Sequence, residues 1–352
     1  MCLGLLAFVV WLAACDIPTE IPKWDQRWIF PAGETEFEVG QLLPVGSTET
    51  PDGTGFLIPV DTVRFSTSMG DLCPSCIPLW GLRVPKPDFQ GDFNGTFLPE
   101  EIVSAEIVDA SLDLAIFNGF NFDPIRPDSG VYGEIIIALR EGGTGGSIQD
   151  QERLLGLNTA FPPFTEETVS LDFSGRIRSS SILEVSVDSP EGDSVFVDIT
   201  DLLSVRAVID TLRVSSAVVN VGNRIFQSEP VGLGTGDLDP EVIDRLQSGA
   251  MVLEVSNPWG FPADLFLTIT EPTIGLLILK RVAMPGAGVT TVRVDFTLEE
   301  LRAFLGVRDV AVLGTAEVDS LAGPVTVAPG QKLGIKTNLD LVLGVGLGGG
   351  GS

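Results

Sequence analysis

Much of the chain alternates apolar and polar residues with a period of two, the spacing of a strand that buries one face. The first such run is Glu36-Phe37-Glu38-Val39-Gly40, and a second spans 56–65, with the turn signal Pro51-Asp52-Gly53 between them. Further strands are predicted at 107–117, 132–139, 168–173, 182–187 and 194–199. The second half supplies 205–221, broken by a bulge near Ser215, then 251–256, 264–270, 275–280 and 290–296. Runs at 310–318, 325–327 and 339–345 complete the set. Val, Ile and Leu alternate with Asp, Ser and Thr, which suits antiparallel sheets, and the turn spacing suits sandwiches or partial barrels. The expected fold is all-β: tandem antiparallel β-sandwich domains, Ig-like in kind, with a few short helices.

Two stretches repeat. Leu98-Pro99-Glu100-Glu101 leads to Leu112-Asp113-Leu114-Ala115-Ile116-Phe117-Asn118-Gly119-Phe120, and Leu238-Asp239-Pro240-Glu241 leads to Met251-Val252-Leu253-Glu254-Val255-Ser256-Asn257-Pro258-Trp259. In the same order, Thr168-Val169-Ser170-Leu171-Asp172-Phe173 matches Thr291-Val292-Arg293-Val294-Asp295-Phe296. This predicts two homologous sandwiches at 88–205 and 206–345, preceded by a β region at 37–87 and followed by a flexible Gly-rich tail at 346–352.

Helix signals are sparse. Asp239 caps and Pro240 opens one helix, with Gly249 expected to close it through Leu246. Thr297-Leu298-Glu299-Glu300 is a capping box, with Leu301, Phe304 and Leu305 on one face and Gly306 as the stop. Both are expected to plug the ends of a sandwich.

The amino terminus follows neither period. Leu3 to Leu12 is an apolar run too short to span a bilayer, and Leu12-Ala13-Ala14-Cys15 ends it with small residues before a cysteine. Those four residues resemble the lipobox of bacterial lipoproteins, although no Lys or Arg precedes them. The resemblance implies a signal peptide at 1–14, cleavage before Cys15 and acylation of that cysteine. Two or three acyl chains would make the attachment close to permanent. Residues 15–36, with Asp16, Pro18, Glu20 and Pro22 at their start, are expected to form a solvated tether. Asp16 resembles the signal that retains enterobacterial lipoproteins in the inner membrane. Outside that lineage both membranes stay open, with the outer one favoured.

Charge changes the list of partners. The 48 acidic residues against 21 basic ones leave a net charge of −27, which repels phosphate backbones and excludes nucleic acid. It also holds the body off acidic headgroups, and plain solubility explains it more simply than an acidic ligand site. With no histidine in the chain, Ser-His-Asp and Cys-His nucleophile systems and His-ligated metals are excluded. No cofactor, metal site or catalytic set is expected, and the protein is read as non-enzymatic. A single tyrosine, with no terminal aromatic strand, speaks against an outer-membrane barrel.

Cys73-Pro74-Ser75-Cys76 is a C-x-x-C followed by Pro78 and Pro85, without a helical pattern or a second ligand pair. A local structural disulfide in an oxidising envelope is the favoured reading, over redox activity, free thiols or a metal. The acidic stretches 188–193 and 237–241 lack the calcium-loop spacing and are read as solvated turns. Gly142-Gly143-Thr144-Gly145-Gly146 lacks the Lys-Ser/Thr pair of a phosphate loop and is read as a flexible connection.

Asn118, Asn257 and Pro258 are assigned as structural turn residues, because Asn bonds its own backbone two residues on and Pro fixes the next dihedral. The corner Val255-Ser256-Asn257-Pro258-Trp259-Gly260-Phe261-Pro262 resembles the strand-then-Asn-Pro pattern of the LEA14-like (WHy) desiccation domains. That family implies a small β-sandwich. Two functions follow as expectations: a lipid-anchored envelope scaffold with a protein partner, or an envelope module binding lipid or another hydrophobic ligand. The positive mean hydropathy gives the second some support.

Overall fold

The computed structural model describes residues 23–346 apart from 129, 210, 272 and 285. The signal peptide, Cys15 and the segment after 346 lie outside the described residues. Antiparallel strands dominate, as expected, and they build two sandwiches around apolar cores.

In the first sandwich one sheet runs Val63–Ser68, Leu202–Ile209, Ile102–Asn118, Glu166–Arg178. The other runs Phe89–Gly95, Ile182–Ser189, Glu134–Glu141, Ser147–Leu155. Counted along the chain, these are strands 1-8-3-6 and 2-7-4-5, the double-sheet order of a jelly roll. The second sandwich repeats it. Lys23–Glu38, Lys332–Gly346, Leu246–Asn257 and Gly288–Phe296 form one sheet. Ile225–Gln227, Ala311–Val318, Ala263–Glu271 and Leu276–Met284 form the other, with Val231–Gly232 also paired to Ala311–Val318. Tandem sandwiches are therefore present. Within that class the strand order is the jelly-roll one and not the seven-strand immunoglobulin one.

The register carries the duplication to the level of single residues. Leu112 faces Leu171 in the first sandwich, and Met251 faces Val294 in the second. Ile116 faces Glu167 on one side and Val205 on the other, where Val255 faces Thr290 and Ile335. These are the positions that the two sequence repeats align.

The expected tether at 15–36 is corrected over its described part. Residues Lys23–Glu38 form a long edge strand, antiparallel to Lys332–Gly346. Phe37 is buried, and Trp28 and Phe30 pack against the core. A register shift between Pro31 and Gly33 resets the alternation, which disguises the strand in the sequence. The second sandwich thus takes its first strand from the start of the described chain.

The boundary at 205/206 moves as well. Leu202–Ile209 and Leu212–Val219 run along the same edge of Ile102–Asn118, with the expected bulge at Ser215 between Val214 and Ser216. Both belong to the first sandwich. Its sheet also receives Val325–Val327, which pairs with Ala217–Val219, so the two units exchange backbone hydrogen bonds. The region at 37–87 is not separate either. Phe56–Ile58 pairs with Leu212–Val214, Val63–Ser68 with Leu202–Ala207, and Arg83–Lys86 with Gly192–Phe196.

Thr297 and Glu300 form the expected capping box at the head of Leu298–Phe304, whose Leu301 and Phe304 are buried. The helix opened by Pro240 is shorter than expected and ends at Asp244. Gly249 does not close it. It lies in the strand Leu246–Asn257, where an added Cβ would come within 2.7 Å of Leu341 and 3.0 Å of Leu301. Glycine there lets the Leu298–Phe304 helix sit on the sheet.

Candidate functional site

The assigned corners are structural devices of one design. Asn118 accepts from the Phe120 N–H and donates to the Phe122 carbonyl, both at 3.0 Å. Asn257 accepts from the Trp259 N–H at 3.1 Å and donates to the Phe261 carbonyl at 2.8 Å. Phe120 and Phe122 stack at 5.3 Å, as Trp259 and Phe261 do at 5.8 Å. The motif shared by the two halves is thus Asn-x-aromatic-x-Phe, a signal that the strand pattern alone hides. Gly119 replaces Pro258 for a local reason: its N–H donates to the Leu202 carbonyl at 2.9 Å, and a Cβ would stand 2.4 Å from that oxygen.

Two buried charges lacked any sequence signal. Asp340 accepts from Arg27 at 2.6 and 2.9 Å and from Arg293 at 2.5 Å, clasping three strands. Hydrogen bonds from Arg27 and Arg293 hold its carboxyl below the usual carboxylate range. Lys86 is fully buried. It donates to the carbonyls of Pro87 and Pro190 and lies 4.9 and 5.6 Å from the ring centres of Phe89 and Phe122. Both group types belong to the scaffold.

Burial pushes the Lys86 amine down to about 8, against the opposing pull of Asp88, Asp123 and Asp188. The folded protein therefore releases this proton near pH 8, and the unfolded chain only near the ordinary 10.5. Below pH 8 the cost of the buried charge is carried in full. Between those values the unfolded state binds more protons, so stability rises with pH by at most ~1.4 kcal/mol per unit. Urea titrations at intervals from pH 7.5 to 10 are expected to show that rise. Lys86→Met, which takes away the titrating amine, is expected to abolish that rise.

The surface feature that stands apart is built around the C-x-x-C. The Ser68 hydroxyl accepts from the Asp71 N–H and starts a single helical turn, Met69–Leu72, which continues after Cys73 into the 3-10 turn Pro74–Leu79. The segment is thus helical, where the sequence showed no such pattern. Cys73 and Cys76 are buried and joined as a disulfide, with the Cys73 Sγ 3.3 Å from the Ser75 hydroxyl. The redox reading gains nothing from burial, because a reactive thiol needs access.

This braced turn and the ribbon beside it hold four large apolar side chains in solvent. Ile77 is 52% exposed, Trp80 60%, Leu82 51% and Phe196 50%. Backbone bonds fix them as one knuckle: Trp80 N–H to Ile77 O at 3.3 Å, Leu82 N–H to Leu79 O at 3.0 Å, and Val197 N–H to Leu82 O at 3.0 Å. Gly81 takes a φ of +78° at the turn, and its N–H reaches the Val197 carbonyl. The Trp80 indole lies near the Asp198 carboxylate, whose Oδ1 accepts from the Thr200 N–H at 3.0 Å and from its hydroxyl at 2.7 Å.

Three carboxylates border the knuckle: Asp71, Asp198 and Asp201. Met69 and Gly70 tie the turn to the loop that carries the last two, through bonds to the Asp201 and Ile199 carbonyls at 2.8 and 3.0 Å. Hydrogen bonds from Thr200 lower the Asp198 carboxyl, whereas burial and the neighbouring Asp198 charge raise that of Asp201. Among the described residues none of the three has an ion-pair partner. Arg83 stands cross-strand from Phe196.

The interior offers less. A cavity walled by Ala32, Leu233, Leu267 and Ile335 in the second sandwich holds about 20 Å³, room for about one water. An open, mixed-polarity cleft of about 790 Å³ lies over Asp109, Asp172 and Arg213 in the first. Among the described residues no group of three or more His, Cys, Asp or Glu is placed to hold a metal ion, and no helix is long and apolar enough to cross a membrane.

No protein-family model matches the chain, and no curated protein matches it. Among solved structures it is similar to a protein assigned as secreted in Parabacteroides distasonis, at 11% identity and a TM-score of 0.31, covering 92% of this chain and 100% of that one.

Proposed function

We propose that this is a lipid-anchored envelope protein with a structural, interaction role, attached through Cys15 and projecting two acidic jelly rolls into the adjoining aqueous space. The observation that carries the reading is the knuckle: four apolar side chains held out in water on a covalently braced turn, over a body whose core is filled. Large apolar side chains gathered at one exposed turn and its neighbouring ribbon are a feature of interaction sites. The hydrophobic-ligand alternative is the weaker one, since the enclosed apolar cavity of about 20 Å³ is far below the hundreds of Å³ that ligand pockets take. The Leu12-Ala13-Ala14-Cys15 motif and the buried Cys73–Cys76 disulfide both suit an oxidising envelope.

Labelling cells with a palmitate analogue tests the anchor. The wild-type protein takes the label and sediments with membranes, and Cys15→Ser abolishes both. An unlabelled protein that begins at Met1 and stays in the cytosol contradicts the reading. Mass spectrometry of the purified protein separates the two roles: a stoichiometric lipid in addition to the covalent chains favours the ligand-binding alternative.

A further inference from the structure

The knuckle has the build of a binding hot spot. Exposed tryptophans are usually mobile, and ordering one on binding costs free energy. Here the backbone on either side of the indole is already pinned, by the Trp80 N–H to the Ile77 carbonyl at 3.3 Å and by the Gly81 N–H to the Val197 carbonyl at 2.9 Å. Trp80 thus stands on a fixed turn that also carries Ile77 and Leu82, beside the strand that ends in Phe196. Tryptophan anchors ringed by weaker apolar contacts dominate protein interfaces.

The charges beside it select among occupants. Asp198 and Asp201 sit close enough for one to raise the carboxyl of the other, and neither they nor Asp71 form an ion pair among the described residues. A second copy would bring the same carboxylates and a further net charge of −27. An anionic membrane surface is repelled for the same reason. A partner bringing Lys or Arg to the edge of an apolar contact relieves the repulsion, and its guanidinium or ammonium completes hydrogen bonds to the carboxylates.

Resting on the interaction reading above, we infer that the knuckle of Ile77, Trp80, Leu82 and Phe196 docks a segment of another protein that presents an apolar side chain flanked by Lys or Arg. The Cys73–Cys76 bridge keeps this platform in shape, and Asp71, Asp198 and Asp201 face the partner's cations.

An array of short synthetic peptides tests it, each with a central Leu, Phe or Trp flanked by Lys/Arg, by Ser, or by Asp/Glu. The full chain in mild detergent is the analyte. Lys/Arg-flanked peptides are expected to bind best, with affinity falling as salt rises. Trp80→Ala should weaken binding by about thirty-fold or more, the loss that defines a hot-spot truncation. Asp71→Asn with Asp201→Asn should weaken it less and flatten the salt dependence, leaving the Asp198 carboxylate beside Trp80 unchanged. Circular dichroism of the variants confirms that they fold. Equal binding of acid-flanked peptides, or no binding at all, overturns the inference. Binding that Trp80→Ala leaves unchanged places the partner elsewhere and overturns the knuckle's role, while the interaction reading stands. Self-association in ultracentrifugation, or flotation with phosphatidylglycerol vesicles, that is lost in Trp80→Ala overturns the partner chemistry in favour of a second copy or a membrane.

Discussion

Asn118→Ala is expected to destabilise the first sandwich by about 3–5 kcal/mol, because each buried polar group left without a partner costs about 1–3 kcal/mol. Asn118 is fully buried. Its amide donates to the carbonyls of Phe122, Phe161 and Pro162 at 3.0, 2.8 and 3.0 Å, and its oxygen accepts from Phe120. Alanine strands all of them at the corner where Ile102–Asn118 hands the chain to the other sheet. Asn118→Asp should be no better at neutral pH, since a carboxylate has nothing to donate and would face three carbonyl oxygens. The equivalent Asn257→Ala should cost less, because Asn257 donates to one carbonyl and accepts from the N–H groups of Trp259 and Gly260. Urea unfolding of the three variants measures the difference. Equal stability of Asn118→Ala and wild type would show that the corner is held by something else.

Phe37→Ala is the second large effect, expected to destabilise the second sandwich by about 3–5 kcal/mol through the cavity it leaves. Phe37 is 1% exposed and sits opposite Leu333 on the edge strand Lys23–Glu38. Starting the chain at Val39 goes further. It removes Phe37 with Trp28 and Phe30, strips one edge of Lys332–Gly346 of its partner, and takes away the Arg27 that bonds the buried Asp340. The second sandwich should then fail to fold, visible as lost protease resistance of residues 222–346. A solvated tether at 15–36 would predict no change when those residues alone are removed.

The contrast between those two residues shows what the sequence discloses. Asn118 stands out because its signal is local: a strand ends on an Asn that bonds its own backbone, and the same pattern recurs at Asn257. The Thr297–Glu300 capping box and the Ser215 bulge are legible for similar reasons, since each is written within a few residues of where it acts. The sequence marks a strand at Glu36–Gly40, which includes Phe37, but gives the strand's first half the look of a tether. Pro31 and the shift at Gly33 interrupt the alternation of Trp28, Phe30 and Ala32, and the partner strand lies about three hundred residues away. Jelly-roll pairing is long-range of this kind, so strands were found more readily than their neighbours. The misassigned 206–219 is the same failure: its alternation was recognised, but not the sandwich it completes.

The candidate site was half visible. The C-x-x-C drew attention to the segment, and the disulfide reading matches the bonded pair. The chemistry lies in Trp80 and Phe196, more than one hundred residues apart, brought together only by the pairing of Arg83–Lys86 with Gly192–Phe196. Lys86 and Asp340 were illegible for a similar reason. A lysine between two prolines, or an aspartate between two leucines, gives no hint of the carbonyls or guanidinium groups that distant segments bring to it.

Hydrogen exchange on the full chain tests most directly the claim that the two jelly rolls interlock, the second being closed by the strand from the start of the described chain. Amides of Lys23–Glu38 that pair with Lys332–Gly346 should exchange as slowly as their partners, and both should open together with Leu246–Asn257. Exchange of 23–36 within seconds, beside a protected Lys332–Gly346, would mean that the edge is unpaired and the account of the fold is wrong.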